Sequence, residues 1–186
     1  MGIEIESVTC DGASNIIRAV QEVCPEAIIQ RCTFHIANEI CSWLTKKPKS
    51  DAARELRQLA RCLSAVENHS QAQIWLREFI DWYNKYEEYI NEKSIDEISG
   101  RWWYTHKMLH RSCTHIKRAI PNMFNYTRYA NIPKTSNSIE SFFGHLKDHL
   151  RLHRGLSNEH FKDFVKWYLY LQSNQGKIAQ KYEREK

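Results

Sequence analysis

Four prolines and six glycines in 186 residues leave few places for tight turns and favour a helix-rich chain. No apolar run approaches the ~20 residues of a membrane-spanning helix, and the mean hydropathy is −0.63. The start, Met1-Gly2-Ile3-Glu4-Ile5-Glu6, has neither the basic nor the apolar stretch of a secretion signal. Without an export signal the six cysteines are expected as reduced thiols in a cytosolic compartment, which excludes a secreted disulfide scaffold. Internal repeats and low-complexity tracts are missing too.

What the sequence has is core material and an uneven charge. Hydrophobic residues make up 42% and aromatics 12%, enough for one ordinary domain or a piece of a larger one. Net charge is +5, yet residues 1–100 carry 11 Lys/Arg against 16 Asp/Glu, and residues 101–166 carry 12 against 4. A local basic block attracts a polyanion even when overall charge is modest, although a solvated basic helix surface has the same composition.

Ile3 to Cys10 alternates and is β-prone, so it reads as a strand ended by Asp11-Gly12. Ile16, Ile17, Val20 and Val23 follow at helical spacing up to Pro25, and residues 27–32 form a second short strand. Strand, helix, strand in about thirty residues is a βαβ unit, which requires a parallel pair. Beyond it, helices are expected over most of 36–172. His35–Leu44 is one. Ala52 to Val66 and Ile74 to Ile90 carry apolar stripes, the second read as core. Trp102–Ile120 stops at Pro121, Ser138–Arg154 is capped by Gly155, and Asn158–Gln172 buries Phe161, Phe164, Val165, Tyr168 and Leu169. Ser94–Gly100 reads as a connection and 122–133 as irregular. The fold class expected is therefore α/β but predominantly α-helical, with two short parallel strands.

Three groups could carry chemistry. Asp11 sits at the carboxyl end of the first strand, where α/β proteins hold ligands and metals, although Asp-Gly is also an ordinary turn and helix start. Glu140 falls in the first turn of a helix whose flanks carry Lys134, Lys147, Arg151 and Arg154; a lone acid among cations suits a metal at a phosphate, and a capping glutamate is the plainer alternative. Cys32 and His35 form a C-x2-H pair. Zinc needs four ligands, and Cys113, His115, His106 and His110 offer no second pair of matching spacing, so zinc is not expected. His145, His149 and His153 share one helix face, open to metal, DNA or solvent.

The ordered set Cys10-Asp11-Gly12, Pro25, Gln30-Arg31-Cys32-Thr33-Phe34-His35, Thr135-Ser136-Asn137-Ser138-Ile139-Glu140 and His153-Arg154-Gly155-Leu156 resembles the catalytic domain of bacterial insertion-sequence transposases of the Mutator-like type. These are DDE recombinases with a ribonuclease-H-like core. The resemblance covers roughly residues 7–172. It implies Asp11 as the second catalytic Asp, Glu140 as the catalytic Glu, both as ligands of Mg²⁺ or Mn²⁺, and Cys32 with His35 as a structural pair near the site. It also implies DNA contacts from Lys134, Asn137, Lys147, Arg151 and Arg154.

The organisation it implies is a βαβ part of the core at 1–35, a helical insertion at 36–130, the catalytic-Glu helix and a core helix at 131–175, and a polar tail at 176–186. The implied activity of the complete protein is metal-dependent DNA strand cleavage and transfer in transposition. The implied partners are transposon-end and target DNA, with self-association or joining to full-length transposase; the setting is a bacterial cytoplasm, on the nucleoid, with no membrane. The family's first Asp lies upstream of the second. Here Glu4 and Glu6 alternate onto the opposite strand face from Asp11 and do not replace it. The expectation is a C-terminal transposase part, inactive alone. The alternatives are an inactive helical DNA-binding or regulatory module and a small zinc-stabilised interaction domain.

Overall fold

The computed structural model describes residues 4–153 and 155–173, which fall into two units, Met1–Ser136 and Asn137–Lys186. In the first unit the chain opens with β1 (Ser7–Cys10), α1 (Ser14–Val23) and β2 (Ile28–Arg31). The strands pair in parallel, with Ser7 opposite Ile28 and Cys10 opposite Arg31, as the βαβ spacing requires. Among the described residues β1 pairs with β2 alone, leaving its other edge open. Both strands are shorter than the sequence predicts. The apolar stripe of α1 stays largely uncovered, with no residue fully buried and Val23 78% exposed, because a two-stranded sheet offers little surface to cover it.

The core lies in the helices that follow: α2 (Thr33–Trp43), α3 (Asp51–Cys62), α4 (His69–Asn91) and α5 (Lys107–Met123). Ile36 and Ile40 of α2 meet Leu56 of α3, Trp75, Phe79 and Trp82 of α4, and Ile116 and Met123 of α5. The buried indoles find acceptors, Trp75 Nε1 donating to the Leu59 carbonyl at 2.8 Å and Trp82 Nε1 to that of Ala52 at 3.0 Å. Satisfied indoles let large rings serve as core. Ile74, read as part of the buried stripe, is instead exposed.

Two stretches depart from expectation. Lys93–Ile95 and Trp102–Tyr104 form an antiparallel hairpin, β3 and β4, where a connection and the start of a helix were expected. Its turn is built by Asp96, whose Oδ1 accepts from the N–H groups of Ile98 and Ser99 at 3.0 and 2.7 Å, with Gly100 at φ +65°. Three-residue strands are too short for periodicity to reveal. The helix expected to stop at Pro121 runs on to Met123. Proline forfeits one bond near the helix end, and a tertiary tie holds the last turn: fully buried Gln30 donates from Nε2 to the Met123 carbonyl at 2.8 Å and accepts at Oε1 from the Tyr126 N–H at 3.1 Å.

The second unit comprises α6 (Asn137–Leu152) and α7 (Asn158–Gln172). Ser157 caps α7 by accepting from the His160 N–H at 3.2 Å. Phe142 meets Tyr168 edge-on, with centroids 5.4 Å apart. The expectation of a buried α7 face is not met. Phe164, Val165 and Tyr168 are half-buried, while Phe161 and Leu169 are exposed, since among the described residues of this unit α7 has only α6 to pack on.

Candidate nucleic-acid interface at the carboxyl end of the strand pair

Asp11 follows β1 directly. Its Oδ1 accepts from the Ala13 N–H at 2.9 Å, an aspartate turn that feeds the chain into α1. Gly12 stands at φ +93°, and a Cβ there would overlap the guanidinium of Arg31, the last residue of β2. The glycine is thus needed twice, for its backbone and for the space it leaves. Arg31 is 6% exposed and its Nε has no hydrogen-bond partner.

A cleft of about 760 Å³ opens here. Asp11, Gly12 and Arg31 line it from the strand ends, Glu39 and Trp43 from α2, and Lys107, Arg111, His115 and Arg118 from α5. Gln30 and Asn125, whose Nδ2 donates to the Ile29 carbonyl at 2.8 Å, tie the end of α5 to β2 and so place that helix beside the strand ends. Arg111 lies over the Trp43 ring, 4.0 Å from its centroid, and His110 stacks on Tyr104 at 3.5 Å. His115 Nε2 is 3.1 Å from Glu39 Oε2 but off the hydrogen-bonding direction. Burial holds the His115 imidazole below its ordinary pKa; Glu39 pulls it up, and Arg31, Arg111 and Arg118 push it further down. Burial, with help from Lys117, also lowers His110.

Cys32 and His35 stand at the start of α2, directly after Arg31. Cys32 is fully buried, with His35 Nδ1 3.2 Å from its Sγ and the Ser136 N–H donating to it at 3.4 Å. Burial raises the Cys32 thiol, and the hydrogen bonds from Ser136 and His35 outweigh it, so its pKa lies below the usual value. The chain before α6 is anchored here too: Thr9 Oγ1 donates to the Pro133 carbonyl at 2.9 Å and the Thr33 N–H to that of Lys134 at 3.3 Å. Lys134 itself turns to the α3–α4 connection, its Nζ 2.6 Å from the Ser64 carbonyl and 2.9 Å from Glu67 Oε1.

In the second unit, Glu140 lies in the first turn of α6 and is exposed, as are Asn137, Lys147 and Arg151. Arg151 is 3.6 Å from Asp148. Arg154 lies outside the described residues. His149 and His153, two of the three histidines on one α6 face, rest against Tyr168 and Phe164. Among the described residues no group of three or more His, Cys, Asp or Glu side chains is placed to hold a metal. Hard divalent cations take several carboxylate oxygens. The cleft holds two carboxylates, Asp11 and Glu39, and Glu39 stands against His115.

Sequence reasoning missed Arg31 and the α5 cations. The spacing of Lys107, Arg111 and Arg118, at i, i+4 and i+11, was the available signal.

The sequence model of the family described as "Transposase, Mutator family" matches residues 2–99. No curated protein and no solved structure shows a significant match. The family match covers more than half of the chain, and the chain belongs to the Mutator family of transposases. No helix among the described residues is long and apolar enough to cross a membrane.

Proposed function

We propose that this chain is part of a DDE transposase with a ribonuclease-H-like core, and that it handles DNA at the carboxyl end of the β1–β2 pair. Residues 1–35 supply the βαβ piece, 36–130 the helical insertion, and 131–175 the helix bearing Glu140. Asp11 and Glu140 act as two of the catalytic carboxylates. In the complete enzyme they bind Mg²⁺ or Mn²⁺, which supplies activation of the attacking oxygen and stabilisation of the leaving one. The observation that carries the reading is Asp11's position: it directly follows the first of two parallel strands and lines a cleft walled by guanidinium and ammonium groups. That is where a scissile phosphate needs both an acid and cations.

Lys147 and Arg151 on α6 are exposed and available to DNA phosphates, with Asn137 at the helix start. Lys134 joins them by exchanging Glu67 for a phosphate. Cys32 and His35 serve as a packed structural pair beside the site. The open edge of β1 is the place for self-association or for pairing with further transposase segments.

Fluorescence anisotropy with a duplex of arbitrary sequence tests the reading. Binding should fall steeply between ~50 and ~200 mM salt, with little sequence preference. A failure to bind at the lower salt would overturn it.

A further inference from the structure

The cations around Asp11 come from an element that the family resemblance does not assign to DNA. Lys107, Arg111 and Arg118 lie on one face of α5 and line the same cleft as Asp11, over a rise of about 16 Å at 1.5 Å per residue. Arg31 adds a fourth permanent charge from β2. Against these four stand two carboxylates, Asp11 and Glu39, and Glu39 already faces His115. The cleft is left with uncompensated positive charge.

Its cations are also held in place. Arg111 is stacked on Trp43, and His115 meets the same ring edge-on at 5.3 Å. A guanidinium fixed on an aromatic face loses little further freedom on binding. Arg31 is more telling. It is more than nine-tenths buried, its Nε lacks a hydrogen-bond partner, and it borders the cleft. A buried, unpaired guanidinium N–H is costly, and an anionic oxygen arriving in the cleft relieves that cost.

A second cationic groove, formed by Lys46, Lys47, Arg54, Arg57 and Arg61, has less to offer. Arg54 is paired with Asp51 and the Lys49 carbonyl, Arg57 donates to the Cys41 carbonyl, and no acid lines the groove.

We propose that the α5 cleft is a phosphodiester tract that guides one DNA strand to Asp11, with Lys107, Arg111 and Arg118 as its rail and Arg31 as its buried phosphate donor. This rests on the DNA-handling reading above and adds to it a strand path through the helical region, besides the contacts proposed on α6.

The test compares Lys107→Ala/Arg111→Ala/Arg118→Ala with Lys147→Ala/Arg151→Ala in the 186-residue chain. Anisotropy is read on short single-stranded and duplex oligonucleotides across ~50–200 mM salt, with circular dichroism melts as the folding control. The α5 triple variant should bind about tenfold or more weakly and flatten the log–log salt slope by about 2 to 3, at roughly 0.7–0.9 for each phosphate no longer neutralised. A stronger effect on the single strand means the tract takes an opened end, and an equal effect means it takes the duplex; either supports it.

Wild-type affinity in the α5 variant, with binding lost in the α6 variant, would overturn the tract and leave the DNA reading standing. No binding by any form at the lowest salt would overturn both. If the triple variant does not fold, Arg118→Glu at its exposed position carries the same test, with severalfold weaker binding expected and unchanged binding contradicting the tract.

Discussion

The Arg31 guanidinium fills the space that a side chain at residue 12 would need: a Cβ on Gly12 overlaps Arg31 Cζ and Nε. The two residues lie at the ends of neighbouring strands, so the turn after β1 and the cation ending β2 are built as one piece. This makes the cleft's charge dependent on a glycine.

Gly12→Ala should therefore destabilise the protein by about 2 kcal/mol or more, from left-handed backbone strain plus the overlap. Gly144→Ala, inside α6 with nothing within 4 Å of the added Cβ, should instead stabilise by about 0.5–1 kcal/mol. Urea denaturation of both variants checks the contrast. Equal effects of the two substitutions would show that Gly12 and Arg31 are not packed together.

Gln30→Leu removes the side chain that joins β2 to the last turn of α5. The Tyr126 N–H and Met123 carbonyl then lose their partner. At ~1–3 kcal/mol for each unsatisfied buried group, a loss of about 2–4 kcal/mol is expected in chemical denaturation. A loss below about 1 kcal/mol would mean that α5 is held in place by its apolar face alone.

His115 and His110 give stability a pH dependence. Both have native pKa values below the ordinary one, and His115 faces Glu39 from α2, Arg31 from β2, and Arg111 and Arg118 on its own helix. Below the unfolded value of ~6.5 the unfolded chain binds more protons than the native one, so stability rises with pH in that range. It should be full above pH ~6.5 and decline as pH falls toward the native values. Denaturation at pH 7.5 and pH 5.5 reads this, with His115→Gln showing a smaller decline. Equal stability at both pH values would contradict the buried, neutral imidazole.

The parallel β1–β2 pair, the Asp11 turn and the helices α2 to α4 were legible because each rests on a local signal: alternation, Asp-Gly, or an apolar stripe. The β3–β4 hairpin was not, since three residues per strand give no measurable period. The basic block at 101–166 was visible as composition, but composition does not say which helix faces the site. The cleft at Asp11 draws Lys107, Arg111 and Arg118 from α5. Arg31 was hidden for a similar reason. Its role comes from the space beside Gly12 across the strand pair and from burial, neither of which a linear pattern records. The apolar positions of α7 showed that a helix would form, not that a partner would cover them.

The pairing of Asp11 with Glu140 as metal-binding carboxylates is tested most directly by a Mn²⁺ titration of the 186-residue chain, followed by electron paramagnetic resonance. Weak binding is expected, with Asp11→Asn and Glu140→Gln each reducing it and the double variant no worse than either alone, as for two ligands of one ion. Mn²⁺ binding that is unchanged in both single variants would show that the two carboxylates do not share an ion, and would contradict the catalytic assignment.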